Sequence, residues 1–464
     1  MERVNPASGE ALEPIDEDDA AAVEAALADA SDAFEDWRDV PTSRRQSLLG
    51  DAASVLRENA DDYAATMTEE MGKPLAAARS EVEKCAWACD YYAERAGEHL
   101  QDERVGVEPN AEAFVTYEPL GPILAVMPWN FPFWQVFRFA APHLTAGNVG
   151  LLKHASNVPA CAQAIEDVFR EAGYPDGVFQ TLLVGSDAVD DLIRDERVRA
   201  VTLTGSERAG RAVAETAGAT VKKSVLELGG SDPFVVLDDA DVAAAAATGA
   251  RARTINSGQS CIAAKRFVVH ESVYGAFLDA FVAEMESLTV GDPREDGTDV
   301  GPQARADLLE TLHDQVERSV EAGATVATGG EPLDRDGFYY PPTVLTDVPR
   351  DAAVAEEEVF GPVAPVFEVA DESEAIELAN DTAFGLGGSV WTTDLERGRR
   401  VARRIESGAV FVNELTKSDP RLPFGGVGRS GYGRELGRDG IREFVNRKTV
   451  WVQDARAPDG PATE

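Results

Sequence analysis

A single cysteine ends the stretch Asn256-Ser257-Gly258-Gln259-Ser260-Cys261, just after a glycine-containing loop and just before an apolar run. A substrate can reach a thiol at a loop-to-strand junction more easily than a thiol inside a helix. Because the thiolate is the reactive species, a nucleophilic cysteine needs a polar and partly open site. Cysteine is also among the most buried residue types, so an inert core thiol is the commoner interpretation of one such residue. Cys261 is therefore a candidate nucleophile only if suitable partners accompany it.

Two polar residues that follow apolar runs could assist such a nucleophile. Asn130 is bracketed by Pro128 and Pro132, so a rigid loop would aim its side-chain amide, which could stabilise an oxyanion. Glu227 is followed by Gly229-Gly230, which permit close backbone approach, and it could act as a general base. Taken alone, each has a simpler interpretation, since asparagine commonly satisfies its own turn and most acids lie at the surface.

Two further stretches could contact a cofactor. Gly205, Ser206 and Gly210 follow an apolar run where a helix is predicted to begin, and N–H groups at a helix start can hold a phosphate. Ser206 could equally be a simple helix N-cap. Glu358 and Phe360 lie two residues apart and could meet a ribose and a ring. Residues 426–431 match G-x-G-x-x-G in letters, but no clear strand precedes them, so they are interpreted as a glycine-rich turn.

The elements that must position these residues follow an alternating pattern. Residues before about 100 have helical spacing of their apolar side chains, and beyond them short apolar runs alternate with helices. The first set of predicted strands covers residues 123–127, 149–152, 178–183, 200–203 and 221–226, with helices such as 158–172 and 207–217 between them. The second set covers residues 234–237, 267–270, 363–369, 389–391 and 409–412. This alternation predicts an α/β protein with two doubly wound, Rossmann-like domains and a nucleotide at the carboxyl ends of the first set of strands.

A β-ribbon is predicted outside these two domains. Residues 104–107 and 114–117 flank Pro109-Asn110, which is typical of a hairpin, and residues 449–452 form a late strand. The expected organisation is then a cofactor-binding domain at 1–227 interrupted by a bridging hairpin at about 103–118, a catalytic domain at 228–425, a return to the cofactor domain at 426–443, a bridging strand at 444–453, and a disordered tail at 454–464.

The charge of the chain limits its partners. The 464 residues include 83 acidic and 43 basic side chains, a formal net charge of −40, which excludes nucleic acid and anionic membranes as partners. The acids are scattered, as on a solvated surface. A more specific hypothesis for this acidic surface is a cytoplasm rich in salt.

Four cysteines make no disulfide framework, and five histidines without a cluster predict no metal site. With no apolar leader and no bilayer-spanning run, we expect a cytoplasmic protein.

Taken together, these motifs resemble the aldehyde dehydrogenase superfamily over nearly the full length. PWNFP, TGSxxxG, ELGG, GQxC, EEVFGPV and PFGGVxxSGxGRE occur in that family's order, and the 34 positions from Glu227 to Cys261 also resemble it. The resemblance implies NAD(P)-dependent aldehyde oxidation, in which Cys261 attacks the aldehyde, Asn130 and the Cys261 N–H hold the oxyanion, and Glu227 activates water against the thioester. It also implies cofactor contacts at Trp129, Lys153, Gly205, Ser206, Gly210, Leu228, Glu358 and Phe360.

Within the superfamily the chain is most similar to succinate-semialdehyde dehydrogenases, in residues 133–138, 152–157 and 226–234. Arg138 lies eight positions after Asn130, about two helical turns, so its guanidinium could hold the distal carboxylate of a semialdehyde. The alternative is an arginine paired with one of the many acids. Some members carry a second arginine where this chain has Ile255, so Ser418 and Arg421 are the candidates for a second carboxylate contact.

The cofactor and the subunit arrangement are less restricted. NAD-specific members often carry a glutamate where this chain has Ser156, and a carboxylate would repel the 2′-phosphate of NADP whereas serine would not. NAD and NADP are therefore both allowed, with Lys153 as a counter-charge. The ribbon resembles the family's bridging ribbon, which implies a homodimer or homotetramer. Two alternatives stay open: a dehydrogenase for other aliphatic aldehydes in which Arg138 is structural, and a non-catalytic protein that reuses the fold.

Overall fold

The computed structural model describes residues 1–453, which form three sheets and fifteen α-helices. The helices are α1 (Ala20–Trp37), α2 (Thr42–Glu58), α3 (Ala60–Met71), α4 (Leu75–His99), α5 (Pro132–Ala146), α6 (Pro159–Glu171), α7 (Val189–Arg194), α8 (Glu207–Ala219), α9 (Val242–Thr254), α10 (Glu271–Ser287), α11 (Ala306–Glu321), α12 (Ala353–Glu356), α13 (Glu372–Asn380), α14 (Leu395–Ala402) and α15 (Gly437–Ile441). The strands are β1 (Glu103–Val105), β2 (Ala111–Pro119), β3 (Pro122–Met127), β4 (Val149–His154), β5 (Phe179–Thr181), β6 (Ala200–Thr204), β7 (Lys223–Glu227), β8 (Asp232–Val236), β9 (Ala264–His270), β10 (Thr325–Thr328), β11 (Thr343–Thr346), β12 (Val363–Val369), β13 (Gly387–Trp391), β14 (Ala409–Val412), β15 (Gly431–Tyr432) and β16 (Val445–Gln453).

The first large sheet has the order β15-β7-β6-β3-β4-β5. Strands β3 to β7 run parallel to one another. Strand β15 pairs with β7 in the antiparallel direction and forms one edge of the sheet. The chain runs outward from β3 through β4 to β5, then returns to the other side of β3 to build β6 and β7. The strand order therefore reverses between β3 and β6, which is where doubly wound sheets bind their ligands.

The second large sheet repeats this arrangement with the order β10-β11-β12-β9-β8-β13-β14. All its neighbours are parallel except the β10–β11 pair. Alternate residues of β8 enter different cores, since Phe234 and Val236 pack on one face and Val235 packs on the other. The predicted fold of two Rossmann-like α/β domains is confirmed.

At the candidate site, the carboxyl ends of strands in the first sheet meet the amino ends of β8 and β9 in the second sheet. β7 ends at Glu227 and β8 begins at Asp232, so only four residues separate the end of one sheet from the start of the other. The loops after β3 and β6 therefore face the loops that precede β8 and β9. The side-chain amide of Asn130, after β3, donates a 3.1 Å hydrogen bond to the carbonyl of Gln259, before β9.

The third sheet is the antiparallel ribbon β1-β2-β16. Nine consecutive residue pairs join β2 to β16, so the predicted hairpin and late strand are present. Strands β2 and β16 are longer than expected, whereas β1 already ends at Val105. Val105, Trp451 and Val452 on this ribbon are about half exposed.

Some predicted boundaries were wrong. Val221 is not in a strand, because it has a left-handed φ of 56° and is 93% exposed in the turn that follows α8. The strand predicted at 178–183 is only Phe179–Thr181, and β10 and β11 were not predicted.

The predicted disordered tail, residues 454–464, lies outside the described residues. None of the helices in residues 1–453 combines the length and apolar character needed to cross a bilayer.

Candidate active site

The loop that carries Cys261 has an unusual backbone. After α9 ends at Thr254, Asn256 and Ser257 adopt φ angles of 55° and 56°, and Gly258 follows at 77°. A left-handed conformation costs a non-glycine residue roughly 1–3 kcal/mol, so tertiary contacts must hold this loop. The thiol at its end is partly exposed, whereas the other three cysteines are buried. All four are free, and Cys261 is the one a substrate can reach.

Buried side chains hold this loop in place. The guanidinium of Arg253 donates to the carbonyls of Ala264 at 3.0 Å and Gly258 at 2.8 Å, and the Gln259 side chain accepts from the Ala304 N–H at 2.8 Å. Arg253 is completely buried, and burial lowers its pKa to about 9. The role of Arg253 in holding this loop could not be predicted, because nothing in the sequence distinguishes it from the other arginines of the chain.

Gly258 also fixes the distance to a second loop. A Cβ atom at this position would lie 2.2 Å from the carbonyl carbon of Gly361, far inside van der Waals contact. Arg253 reaches the same second loop through the carbonyl of Val359 at 3.4 Å. The loop with Glu358 and Phe360 is therefore packed directly against the cysteine loop.

Asn130 is hydrogen-bonded to the loop that ends at Cys261. Its Nδ2 donates to the carbonyl of Gln259 at 3.1 Å, and Asn256 Nδ2 donates to the carbonyl of Asn130 at 2.7 Å. A side-chain amide has two N–H groups, so one remains for a substrate oxygen. Glu81 of α4 caps the helix that follows, accepting from the backbone N–H groups of Phe133 and Trp134. The loop before α5 thus keeps Asn130 beside Cys261.

Glu227 is buried at the end of β7, and neither of its carboxyl oxygens has a hydrogen-bond partner among residues 1–453. Burial raises its pKa well above the usual range, and the neighbouring Glu435 raises it further, against the opposing charges of Arg138 and Arg434. An ionised carboxylate in such a site is a strong proton acceptor. The Glu227 side chain can therefore serve as a general base.

The charge of Lys265 acts on the nucleophile. Burial raises the pKa of Cys261 to about 12, while the cations Lys265 and Arg138 favour the thiolate. Lys265 Nζ donates to the carbonyls of Ser260 at 3.0 Å and Cys261 at 2.6 Å, and it lies 3.6 Å from a carboxyl oxygen of Glu358. The effect of Lys265 on Cys261 was not predicted. A lysine four positions after the cysteine, in a chain with few lysines, could have indicated it.

A groove of about 540 Å³ opens over the first sheet between α7 and α8. Lys153 at the end of β4 and Leu203 of β6 line it, and burial lowers the pKa of Lys153. Ser206 caps α8, accepting from the Ala209 N–H at 3.3 Å, so its helix-capping interpretation holds in this structure. Ser156 is exposed in the turn beyond Lys153. The groove runs along the strand ends where the order of the sheet reverses.

The other residues predicted to contact a cofactor pack against one another or against residues 227–230. Gly210 is pressed against Leu228, since a Cβ there would lie 2.5 Å from the leucine side chain. The ring of Phe360 meets Trp129 edge to face at 5.8 Å. Glu358 accepts from the Gly230 N–H at 3.0 Å. Gly205 donates its N–H to the carbonyl of Glu227 at 2.9 Å.

Arg138 lies inside the protein. Its guanidinium is paired with the buried carboxyl of Glu435, donates to Thr204 Oγ1 at 3.3 Å, and stands over the ring of Phe424 at 4.7 Å. A carboxylate of the same chain therefore already pairs with this guanidinium.

The other two predicted carboxylate contacts differ from each other. Ser418 is buried, and its oxygen accepts from Lys84 Nζ at 2.8 Å and from Trp134 Nε1 at 3.1 Å. Arg421 is exposed and paired with Asp419 at 2.6 Å. The structure brings Ser418, but not the guanidinium of Arg421, into a buried polar cluster.

Across residues 1–453, no group of three histidine, cysteine or acidic side chains is placed to hold a metal ion.

The chain is similar to known proteins over nearly its full length. Residues 1–450 match the model of the aldehyde dehydrogenase family. A probable succinate-semialdehyde dehydrogenase (NADP+) of Synechocystis sp. is 53% identical over 97% of this chain and 99% of its own length, and succinate-semialdehyde dehydrogenase (NADP+) 1 of Mycobacterium tuberculosis is 53% identical over the same shares. The crystal structure of succinic semialdehyde dehydrogenase from Streptococcus pyogenes in complex with NADP+ is 37% identical and superposes with a TM-score of 0.95, covering 98% of this chain and 100% of that one.

Proposed function

Since this chain belongs to the aldehyde dehydrogenase family, we propose that it oxidises succinate semialdehyde to succinate with NADP, and with NAD as a second cofactor. The observation that carries the proposal is the hydrogen bond from Asn130 to the loop that ends at Cys261, together with the buried carboxyl of Glu227 at the end of β7. The named relatives, alike over nearly the whole chain, support this substrate and NADP.

The chemistry begins at Cys261. Its thiolate attacks the aldehyde carbon, and the oxygen that becomes negative is held by the free N–H of the Asn130 amide and the backbone N–H of Cys261. Lys265 supplies the positive charge that favours the thiolate. Donors that are already positioned stabilise this oxyanion without reorganisation, which lowers the barrier.

Glu227 acts in the second half of the reaction. Oxidation of the adduct leaves a thioester on Cys261, and water must attack it. Because Glu227 is buried without a hydrogen-bond partner in residues 1–453, it accepts a proton from that water readily once ionised. A family member without such a base would require another acceptor for the acyl group.

The groove fits a nicotinamide dinucleotide, which supplies the hydride acceptor when bound. Its volume, the cation Lys153 and the capped N-terminus of α8 suit a phosphate-rich ligand at the switch point of the sheet. Lys153 and Ser156 would face the ribose that carries the 2′-phosphate. Gly205 and Ser206 would meet the pyrophosphate, and Glu358 and Phe360 would lie toward the nicotinamide end, near Cys261.

We also propose the domain roles and the assembly. Residues 1–227 and 426–443 form the cofactor-binding domain, residues 228–425 form the catalytic domain, and the ribbon joins two copies into a homodimer or homotetramer. The half-exposed apolar side chains Val105, Trp451 and Val452 support this use of the ribbon. Four unpaired cysteines fit a reducing cytoplasm.

The test is a panel of aldehydes with the purified protein, followed by the absorbance of the reduced cofactor. We expect succinate semialdehyde with NADP+ to give the highest kcat/KM, well above butanal, and the Cys261→Ala variant to be inactive. The pairing of Arg138 with Glu435 favours one alternative, a dehydrogenase for other aliphatic aldehydes. Equal kcat/KM for butanal and succinate semialdehyde would support that alternative, and inactivity toward every aldehyde would refute both.

A further inference from the structure

Lys84 of α4 takes part in a polar cluster that the reaction described above does not use. Its Nζ donates to Ser418 Oγ at 2.8 Å and stands 4.3 Å from the centre of the Trp134 ring. Trp134 Nε1 donates to the same serine oxygen at 3.1 Å. The stem of Lys84 is half-buried, while Trp134 and Ser418 are buried.

This cluster has more hydrogen-bond donors than acceptors. Ser418 Oγ accepts two hydrogen bonds, which occupy both its lone pairs, so its own O–H must point elsewhere. No acceptor for that O–H is found among residues 1–453, and Lys84 uses only one of its three N–H groups there. The cluster therefore presents three unused donors, an arrangement that suits an anion.

In residues 1–453, no carboxylate lies within 4.0 Å of the Lys84 ammonium, although the chain is strongly acidic. Of the eight lysines, only Lys84, Lys153 and Lys222 have no carboxylate within 4.0 Å in the part of the chain that the structure describes. Lys222 donates to two backbone carbonyls, and Lys153 faces the cofactor groove. Lys84 has neither a carboxylate nor a backbone carbonyl as a partner in the part of the chain that the structure describes. A half-buried ammonium of this kind is costly unless an anion from outside completes its site.

The cluster adjoins the reaction site. Trp134 and Arg138 are one turn apart on α5, which begins two residues after Asn130. The charge of Arg138 acts electrostatically on both Lys84 and Cys261, so it lies close to the two groups. Arg138 already pairs with Glu435, whereas Lys84 keeps unused donors on this side of the site.

We propose that Lys84, together with the Ser418 hydroxyl, binds the carboxylate of the aldehyde substrate and thereby sets the preference for aldehydes with a terminal carboxylate. This inference rests on the proposed function, since it assumes that such an aldehyde is the substrate. Trp134 packs under the ammonium and keeps Ser418 turned so that its proton faces the ligand.

The test compares KM for succinate semialdehyde and for butanal in Lys84→Met, whose side chain keeps the stem over Trp134. We expect KM for succinate semialdehyde to rise about 10- to 100-fold, the usual effect of losing one charge-assisted hydrogen bond, and KM for butanal to change less than about threefold. The matched control is Lys417→Met, which removes a lysine next to Ser418 that is paired with Glu414, and it should leave both constants unchanged. Equal changes for the two aldehydes in Lys84→Met would overturn the inference.

Two further measurements separate binding from folding. Lys84→Arg keeps the charge and should retain most of the preference for succinate semialdehyde, and Ser418→Ala should lose part of it at an unchanged melting temperature. If Lys84→Met does not fold, a Ser418→Ala enzyme that keeps the full preference contradicts the proposal.

The ratio of the two KM values should also depend on pH. Burial and the charge of Arg138 lower the pKa of Lys84 to about 8, against the opposing effects of Cys85, Glu81 and Asp419. The preference for succinate semialdehyde should therefore be complete at about pH 7 and below and decline as the pH rises through about 8, while butanal oxidation lacks this component. A ratio that stays constant from about pH 7 to 9.5 counts against Lys84. A wild-type enzyme without any preference for succinate semialdehyde would refute the proposed function instead.

Discussion

Single residues in this site are controlled by burial and by neighbouring charges. Burial raises the pKa of Glu227 and of Cys261, while Arg138 opposes both shifts and Lys265 opposes the shift of the thiol. The base is thus poised to accept a proton, and the nucleophile depends on nearby cations. Each of these roles can be tested by one substitution.

Replacing Glu227 by glutamine should separate the two halves of the reaction. We expect kcat to fall about 10²- to 10⁴-fold, because the thioester loses the base that activates water. A pre-steady-state burst of about one reduced cofactor per active site should remain, measured by stopped-flow absorbance. The exposed Glu356→Gln is the matched control. Loss of the burst together with kcat would mean that Glu227 acts before the thioester forms.

Replacing Ser156 by glutamate should change the cofactor preference. A carboxylate in the exposed turn beyond Lys153 would repel the 2′-phosphate, so KM for NADP+ should rise about 10- to 100-fold, while KM for NAD+ changes less than about threefold. Steady-state kinetics with both cofactors measure this shift, and Ser156→Ala is the control for loss of the hydroxyl. Parallel changes for both cofactors would place the 2′-phosphate elsewhere.

At the scale of elements, the position of Cys261 depends on the preceding loop. Asn256 and Ser257 in that loop adopt a backbone conformation that non-glycine residues disfavour. Asn256, Ser257 and Gly258 are all left-handed, and buried side chains from α9 and from the loop itself hold them. Asn256 and Ser257 are two consecutive strained residues in the segment that leads to Cys261. Rigid neighbours keep the thiol and the Asn130 amide together.

Gly258→Ala should therefore damage both stability and activity. Alanine at φ 77° is strained, and its Cβ would lie 2.2 Å from a backbone atom of Gly361. We expect a loss of about 2–4 kcal/mol in unfolding free energy, measured by chemical denaturation, and at least a tenfold fall in kcat/KM. Gly218→Ala, inside α8 with no atom within 4 Å of the added Cβ, should be neutral or slightly stabilising. Full activity in Gly258→Ala would show that the loop tolerates another conformation.

The ribbon is the element that we propose joins subunits. Trp451→Glu places a charge on a half-exposed aromatic position of β16 and should shift the protein toward smaller species in sedimentation velocity. Leu395→Glu, at a similarly exposed apolar position on α14, should leave the size unchanged. An unaltered oligomer in Trp451→Glu would exclude that face of the ribbon as the contact.

At the scale of the whole molecule, the net charge of −40 dominates. Lys84, Lys153, Lys265 and Arg138 put cations at the site, while acids cover the surface, so the long-range field repels anions and the site attracts them locally. The same self-repulsion opposes the compact state. Salt weakens it, because the Debye length falls from about 30 Å at 0.01 M to about 3 Å at 1 M.

The melting temperature should therefore rise with KCl from low to molar concentration at pH 7, measured by differential scanning fluorimetry. The rise should be much smaller near pH 5, closer to the sequence pI of about 4.4, where fewer carboxylates are charged. A melting temperature that is independent of salt at pH 7 would refute the hypothesis of adaptation to a high-salt cytoplasm.

The fold class and the family could be predicted from the sequence alone, because alternating strands and helices and six ordered motifs are local patterns. Cys261, Asn130 and Glu227 could be proposed as central residues from the same motifs. The contacts of Arg138 and Lys84 could not be predicted in this way. Arg138 is paired with Glu435, nearly three hundred positions away in the chain, and Lys84 meets Ser418 across a similar separation. Which cation faces a carboxylate and which keeps unused donors depends on these long-range contacts, and no local pattern of residues records them.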